Sequence, residues 1–212
     1  MKKIVIVDYG TGNLRSVAQA LTVAAPEADI RISSAASDIR QASSLVLPGQ
    51  GAMSEPIRKM RENALYDTVI EALRSRPTLA ICIGLQMLFD FSEEGPAAGL
   101  GLLPGNVVRF QPEDAPSSGG ARYKVPQIGW NRVRQSIGHA LWKGIADSSY
   151  FYFVHSYYAV PENPGHIAGL TEYGRTYCSA VSHENLFATQ FHPEKSAAVG
   201  SQLFQNFINW DP

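Results

Sequence analysis

The chain has 212 residues, of which 45% are hydrophobic and 17% charged, and its formal net charge at pH 7 is −1. This length suits one α/β domain with a large core and leaves no room for a synthase domain as well, so we expect a single domain over residues 1–212. A near-neutral balance of mixed signs provides no positive field for nucleic acid or for an anionic membrane surface.

The N-terminal run predicts a first strand and not a signal peptide. It is short, ends at Asp8 and lacks a small-residue cleavage site. No segment reaches the roughly 18 apolar residues that a membrane-spanning helix needs. The two cysteines, Cys82 and Cys178, lie in such different surroundings that they predict no disulfide framework, which suits a reducing cytoplasm. The sequence therefore predicts a cytoplasmic protein.

The first half of the chain alternates strand and helix patterns. The predicted elements are, in chain order, a strand over residues 3–7, a helix over 14–25, strands over 30–33 and 45–47, a helix over 56–74, a strand over 78–81 and a helix over 85–91. This order is typical of a doubly wound, mostly parallel sheet with helices on both faces.

After Gly99 the pattern changes to shorter strand-like runs. The predicted strands cover residues 106–110, 127–133, 150–159, 166–171, 177–181 and 186–190, and a closing helix is predicted over 203–210. These strands suggest antiparallel additions on one side of the sheet. Residues 112–121, rich in Pro, Ser and Gly, are predicted to form a mobile surface loop rather than a domain linker.

Cys82 stands between a predicted strand and a predicted helix. A cysteine on so tight a turn is exposed at the edge of the sheet, and the N–H groups and dipole of the following helix favour its thiolate. The N–H of Ile83 would face an oxyanion formed beside the sulfur, and Gly84 would let the turn close and a substrate approach. Cys178 lies in a plain strand pattern and is interpreted as packing.

The matching base is expected far downstream, at His192. If the strand continues through residues 187–192, His192 and Glu194 lie on the same side because side chains alternate with period two. The carboxylate can then hold the imidazole in the tautomer that accepts the thiol proton. A single cysteine or histidine is usually structural, but the two together in these contexts indicate a nucleophile and its base. His155 is a less suitable base, because the residue two positions after it is Tyr157 and not an acid.

Two glycine-containing segments also follow predicted strands. Residues 49–51 lie at the same carboxyl edge as Cys82, where open α/β sheets place ligands. Taken alone, they are equally well explained as a tight turn that needs glycine. Gly10 and Gly12 lack the third glycine of a dinucleotide-binding motif, Arg15 standing in its place, so a nucleotide site is not favoured.

Together these segments resemble the class I, triad-type glutamine amidotransferases over nearly the whole chain. The resemblance is carried by residues 7–17, 47–52, the Cys82 turn, 125–131, 152–158 and 192–195. Within this family, the chain is most similar to the branch that serves as glutaminase subunit of imidazole glycerol phosphate synthase. That similarity is carried by residues 7–17, residues 129–131 and Lys195. The resemblance implies a flavodoxin-like α/β fold and an enzyme of histidine biosynthesis that hydrolyses glutamine through a cysteine thioester.

The resemblance also implies a role for individual residues of this chain. The implied roles are a catalytic triad of Cys82, His192 and Glu194; oxyanion donors at Ile83, Gln50 and Gly51; substrate contacts at Gly51, Gln86, His155, Ser156 and Tyr157; and partner contacts at Asn13, Arg15, Trp130 and Lys195. The His155 segment would act through its main chain, and the Gln86 amide would overhang the sulfur. No metal and no organic cofactor are implied.

The implied partner is the cyclase subunit of the synthase, which would receive ammonia within a heterodimer. Many amidotransferases have a glycine where this chain has Gln50, and a side chain there restricts the backbone. We therefore expect the oxyanion site to depend on activation by the partner.

Two other classes stay open on the residues alone. A cysteine peptidase or a γ-glutamyl hydrolase would use the same Cys82 and His192 and would be fully active without a partner. A non-catalytic regulatory module of the same fold would be expected to have lost a triad member, whereas all three are present here.

Overall fold

The computed structural model describes residues 2–10, 12–111 and 124–212, so the loop predicted over 112–121 lies outside the described residues. The described strands are β1 (Lys3–Val7), β2 (Asp29–Ser33), β3 (Ser44–Leu47), β4 (Thr78–Ile81), β5 (Phe91–Ser92), β6 (Ala97–Ala98), β7 (Gly105–Arg109), β8 (Gln127–Gln135), β9 (Ser149–His155), β10 (Tyr157–Pro161), β11 (Ile167–Tyr173), β12 (Arg175–His183) and β13 (Leu186–Thr189). The α-helices are α1 (Leu14–Ala24), α2 (Ala36–Gln41), α3 (Ser54–Glu62), α4 (Tyr66–Leu73), α5 (Ile83–Met87) and α6 (Ala197–Asn209).

Five parallel strands form the centre of the sheet, in the order β2-β1-β3-β4-β13. This is the 2-1-3-4-5 order of flavodoxin-like folds, and it confirms the predicted parallel, doubly wound sheet. Every residue of β3, β4 and β13 is buried. Strands of this kind read as continuous apolar runs because helices cover both faces of the sheet.

The helices form two packing groups. Helix α1 packs against α6, whereas α2 and α3 pack against α4. Helix α1 buries Val17, Leu21 and Ala24, which recur at the spacing of one helical face. It ends at Ala24, two residues before Pro26, because proline cannot continue a helix. Within residues 2–10, 12–111 and 124–212, no helix is both long and apolar enough to cross a membrane.

The predicted antiparallel additions extend the sheet beyond β13. Strand β12 pairs antiparallel with β13 and β10, and β10 pairs antiparallel with β7. A branch leaves β12 through β11 and β8 to β9, again with antiparallel pairing. The branch ends in the hairpin of β8 and β9, and β9 contacts the segment after β13 through the hydrogen bond from the His192 N–H to the Tyr152 carbonyl oxygen.

Two of the helix predictions in the first half were wrong in detail, and one helix was missed. The helix predicted over 56–74 is two helices, α3 and α4, because Ala64 between them has a φ of 53° and interrupts the helical backbone. Helix α2 was not predicted, since it buries only Ile39 and leaves little periodic signal. The helix predicted over 85–91 is the shorter α5, which begins directly after Cys82.

The strand and C-terminal predictions also need correction. The single strand predicted over 150–159 is two, β9 and β10, which separate at Ser156 and pair with different neighbours. Strand β13 ends at Thr189, so His192 does not lie on a strand; it precedes a 3₁₀ turn at Pro193–Lys195. The closing helix starts at residue 197 and not at 203. Gly200 in its first turn packs closely on the 3₁₀ turn, because a Cβ on Gly200 would lie 1.9 Å from the Pro193 carbonyl oxygen.

Gly84 allows the nucleophile helix to lie directly on the sheet. A Cβ on Gly84 would lie 1.9 Å from the Leu47 carbonyl oxygen and 3.4 Å from the Cβ of Ala80. Helix α5 therefore approaches the end of β3 more closely than any side chain would permit. The sequence predicted that Gly84 serves turn closure and substrate approach. The structure shows a further role, which is this close contact between helix and strand.

We expect Gly84→Ala to lower the free energy of unfolding by about 3 kcal/mol or more, because the backbone at Leu47 would have to move. Urea unfolding followed by circular dichroism measures this. Gly138→Ala is the matched control: a Cβ there meets no atom within 4 Å, and its effect should stay within about 0.5 kcal/mol. Equal stabilities of the two variants would contradict the packing argument.

Candidate active site

Cys82 lies on a strained turn between β4 and α5. Its φ of 56° and ψ of −106° place a non-glycine residue in the positive-φ region. Its N–H donates a 2.7 Å hydrogen bond to the carbonyl oxygen of Thr189, which ties the turn to the end of β13. Ile83 begins α5, so its N–H has no partner within the helix. The turn thus presents a sulfur and a free N–H side by side.

His192 and Glu194 form a buried pair next to this turn. The distance between His192 Nδ1 and Glu194 Oε1 is 2.8 Å, and the two side chains are only 8% and 1% exposed. The backbone N–H of His192 donates to the Tyr152 carbonyl oxygen at 2.9 Å, and its carbonyl oxygen accepts from Ser196 Oγ at 2.6 Å. The predicted contact is therefore present, although a 3₁₀ turn and not a strand produces it.

The groups around His192 change the pKa of its imidazole. Burial by itself lowers the pKa of His192, but its hydrogen bonds to Cys82 and Glu194 and the negative charges of both partners raise the pKa to about 10. With Nδ1 bonded to Glu194, Nε2 is the nitrogen left for Cys82. An imidazole held between a carboxylate and a thiol in this way activates the sulfur as a nucleophile.

A cavity of about 340 Å³ opens in front of Cys82, which is a volume suited to a small ligand. Its walls are formed by Asn13, Gln50, Gly51, Cys82, Ile83, Gln86, Glu94, Pro126, Val154, His155, Ser156, Tyr157, His192 and Lys195. Every predicted oxyanion and substrate residue lines this cavity, as do two of the predicted partner contacts. Of the triad, Glu194 is the member that does not line it, because it lies behind His192.

Gln190 is a buried polar residue that sequence reasoning missed. Its Nε2 lies 3.7 Å from Cys82 Sγ, and its Oε1 accepts a 3.1 Å hydrogen bond from Gln86 Nε2. Gln86 Nε2 also donates to the Tyr157 carbonyl oxygen at 3.1 Å. The amide that contacts the sulfur is thus that of Gln190, not that of Gln86 as expected. A glutamine between the buried Thr189 and Phe191 was the available signal.

Glu94 also lines the cavity and was not predicted. Burial raises the pKa of its carboxyl group. It follows the short strand β5, where nothing in the local sequence distinguishes it from a solvated acid. Within the part of the chain that the structure describes, no group of three or more His, Cys, Asp or Glu side chains could hold a metal ion.

The predicted partner residues lie in the cavity wall, near the cavity and on α1. The Trp130 side chain, 52% exposed, packs edge-on against Tyr152 with 5.9 Å between ring centroids. Lys195 Nζ lies 5.8 Å from the centre of the same Tyr152 ring and also lines the cavity. Asn13 precedes α1, and Arg15 is exposed on its first turn. The predicted docking residues are thus partly contiguous with the catalytic cavity.

The family is identified by comparison with known proteins. The family model described as glutamine amidotransferase class-I matches residues 5–210. The chain belongs to the class I glutamine amidotransferases. Two of the most similar relatives of this amidotransferase are named imidazole glycerol phosphate synthase subunit HisH: that of Nitrosospira multiformis is 50% identical and that of Nitrosomonas europaea 46% identical, each over 100% of both chains. The chain therefore also belongs to the HisH family.

Solved structures share the amidotransferase fold. A crystal structure of a glutamine amidotransferase superposes with a TM-score of 0.71 at 18% identity, covering 97% of this chain and 97% of that one. A chain of PurLQS from Thermotoga maritima gives a TM-score of 0.68 at 18% identity, covering 98% of each. The predicted class I amidotransferase fold is confirmed.

His155 of this amidotransferase is a neutral structural histidine. Its Nδ1 lies 2.8 Å from the Tyr157 carbonyl oxygen, and its Nε2 lies 3.0 Å from Gln127 Oε1 and 3.2 Å from Tyr177 Oη. Burial is the main cause that lowers the pKa of His155 to about 4; the hydrogen bond to the Tyr157 carbonyl oxygen opposes this shift, and the charge on His192 adds to it. Both ring nitrogens are engaged, which favours His192 as the base.

We expect the stability that His155 contributes to depend on pH. Its folded pKa lies below the unfolded value, so the contribution is fully present above about pH 6.5 and is lost as pH falls towards 4. Between pH 7.5 and 4.5 the free energy of unfolding should fall by about 2 to 3 kcal/mol more in the native protein than in His155→Asn. Urea unfolding at both pH values measures this.

The control for the pH measurement is His183→Asn, because the His183 side chain is 39% exposed. This variant should keep the pH dependence of the native protein. If His155→Asn kept it too, the buried neutral state of His155 would be wrong.

Proposed function

We propose that this chain is the glutaminase subunit of imidazole glycerol phosphate synthase, acting in the cytoplasm in histidine biosynthesis. It hydrolyses glutamine to glutamate and ammonia and delivers the ammonia to a cyclase subunit, which forms imidazole glycerol phosphate and aminoimidazole carboxamide ribonucleotide. The observation that carries the proposal is the buried pair beside Cys82, in which His192 Nδ1 lies 2.8 Å from Glu194 Oε1. The chain that contains this pair is matched over its full length by HisH relatives.

The first step is attack by sulfur. His192 holds the proton taken from Cys82, and Glu194 stabilises the resulting imidazolium through Nδ1. The thiolate adds to the side-chain amide carbon of glutamine and forms a tetrahedral oxyanion. His192 then returns its proton to the departing nitrogen, the C–N bond breaks, and ammonia leaves behind a γ-glutamyl thioester on Cys82.

The oxyanion is stabilised by backbone N–H groups. Ile83 offers the free first N–H of α5, and the second donor comes from the loop after β3, at Gln50 or Gly51. Gly49 keeps this loop close to the nucleophile turn, since a Cβ on it would lie 2.6 Å from Ile83 Cβ. Gly51 has a φ of 81°, a conformation that suits glycine.

The charges and main-chain groups of the cavity suit a glutamine substrate. The carboxylate of Glu94 is complementary to the α-ammonium group, and main-chain groups at residues 155–157 line the same wall. Water then attacks the thioester with His192 as base, a second oxyanion forms at the same donors, and glutamate is released.

An exposed face of the hairpin of β8 and β9 is the proposed docking surface for the cyclase subunit. Ile128, Trp130 and Tyr150 on this hairpin are 63%, 52% and 49% exposed. Contiguous exposed apolar side chains of this kind mark interaction sites. Tyr152 and Lys195 connect this face to the cavity mouth, so a partner bound there would stand next to the point at which ammonia leaves. Ammonia that escaped into water near neutral pH would mostly be protonated and would lose its nucleophilicity.

Stand-alone hydrolysis by a peptidase or a γ-glutamyl hydrolase, the alternative that the residues alone left open, would use the same Cys82 and His192. The exposed aromatic face beside the cavity favours the partner-dependent enzyme. Ammonia release from glutamine, measured with and without the cyclase subunit, separates the two.

We expect Cys82→Ala to abolish ammonia release from glutamine in the complex with the cyclase subunit. Synthesis from added ammonium salts should persist in the same complex, because Cys82 serves only the ammonia-generating reaction. Paired assays with glutamine and with ammonium chloride measure both. Substantial glutaminase activity in this variant would rule out Cys82 as the nucleophile.

We also expect the subunit alone to be a poor glutaminase and to become active in the complex with a ligand-bound cyclase. Gln50 restricts the loop after β3, and a reorientation of peptide bonds at residues 49–51 would supply the missing donor. One oxyanion donor changes the rate about a hundred- to a thousandfold. The ligand can act only by favouring the competent loop state.

Steady-state glutaminase rates of the lone subunit, the complex and the ligand-bound complex test this activation. Trp130→Ala should require a higher cyclase concentration for the same maximal activation, because it removes exposed aromatic surface without touching the cavity. Equal rates in all three states would exclude the switch.

A further inference from the structure

A row of side-chain amides ends at the catalytic sulfur. Gln86 Nε2 donates to the Tyr157 carbonyl oxygen and to Gln190 Oε1, each at 3.1 Å, and Gln190 Nε2 lies 3.7 Å from Cys82 Sγ. Gln86 is 1% exposed and Gln190 fully buried. Water therefore does not compete for these groups, and the orientation of each amide is determined by the donors and acceptors within the row.

The row has a direction that its chemistry imposes. The Tyr157 carbonyl oxygen can only accept, so Gln86 must turn its NH₂ group towards it, and the second N–H of that group points to Gln190. Gln190 must then present its oxygen to Gln86 and its NH₂ group to the sulfur. The Oε1 atom of Gln86 is buried with no hydrogen-bond partner among the described residues, so this orientation is kept at some cost in stability.

We propose that Gln190 is a catalytic hydrogen-bond donor to the sulfur of Cys82, and that Gln86 is a positioning residue that keeps the Gln190 N–H, and not its carbonyl oxygen, directed at that sulfur. The proposal deepens, and rests on, the proposed glutaminase function. A thiol is a weak acceptor whereas a thiolate accepts strongly, so the N–H group stabilises the ionised sulfur.

The donor serves both halves of the reaction. Before attack it holds the thiolate at the end of the cavity, where His192 is the proton carrier. In thioester hydrolysis the sulfur leaves as a thiolate, and the same N–H group stabilises the charge that returns to it. Being neutral, the amide does this without disturbing the His192–Glu194 pair.

The test is the pH dependence of Cys82 alkylation by iodoacetamide in the full chain, on a Cys178→Ala background. Gln190→Glu places a carboxylate oxygen where the N–H was, and we expect the pH midpoint of alkylation to rise by about one unit or more. Gln190→Met removes the donor without adding charge and should raise the midpoint by a smaller amount. In the activated complex, Gln190→Met should lower kcat about tenfold to a hundredfold with little change in KM.

Gln86→Met tests the positioning role. It should also raise the midpoint, because the Gln190 amide would be free to rotate, and the double variant Gln86→Met/Gln190→Met should match Gln190→Met alone. Additive shifts would mean that Gln86 does not act through Gln190. Gln205→Glu, on the exposed side of α6, is the charge control and should leave the midpoint unchanged.

Thermal melting identifies the variants that remain folded, and Gln190→Met decides the case if Gln190→Glu does not fold. An unchanged midpoint in either folded Gln190 variant would overturn the proposal. Failure of the proposed function would show differently, as a native complex that releases no ammonia from glutamine while the alkylation profiles still respond to Gln190.

Discussion

The hydrogen bond from the Cys82 N–H to the Thr189 carbonyl oxygen, 2.7 Å long, joins the two strand ends on which the site depends. It continues the parallel pairing of β4 with β13 one residue beyond the end of β4. The nucleophile turn follows one of these strands, and the segment with Gln190, His192 and Glu194 follows the other. Because the two strand ends are held in register, residues more than a hundred positions apart in the chain meet at the site.

The strain in the nucleophile turn is sustained by close packing on both sides. Cys82 has a positive φ, and α5 rests on β3 at a distance that only Gly84 permits. Gly49 allows an equally close approach between the loop after β3 and Ile83. A well-packed core resists relaxation of such a turn, and this is how strained backbone persists at functional sites. The same packing brings the N–H groups proposed to bind the oxyanion next to the sulfur.

The polar groups at the site divide into charged and neutral sets with separate tasks. Glu194 and His192 form the charged set and lie almost completely buried, so their interaction is little screened by water. Gln86 and Gln190 form the neutral set on another side of the sulfur. Lys195 follows Glu194 in the chain and contacts Tyr152 beside the proposed docking face. The proposed surface for partner binding is therefore adjacent to the catalytic residues.

The local sequence determined the parallel first half and the turn at Cys82, because apolar runs, glycines and strand-end positions are local signals. The assignment of Gln50, Gly51 and Gln86 to one site came from the resemblance to the amidotransferases. Only the tertiary structure decided how His192 meets Glu194, through a 3₁₀ turn and not a strand, and that Gln190 and not Gln86 contacts the sulfur. It also split the helix predicted over 56–74 and brought Glu94 to the cavity. These outcomes depend on contacts between segments distant in the chain, and no local pattern encodes which polar group a folded neighbour leaves unpaired.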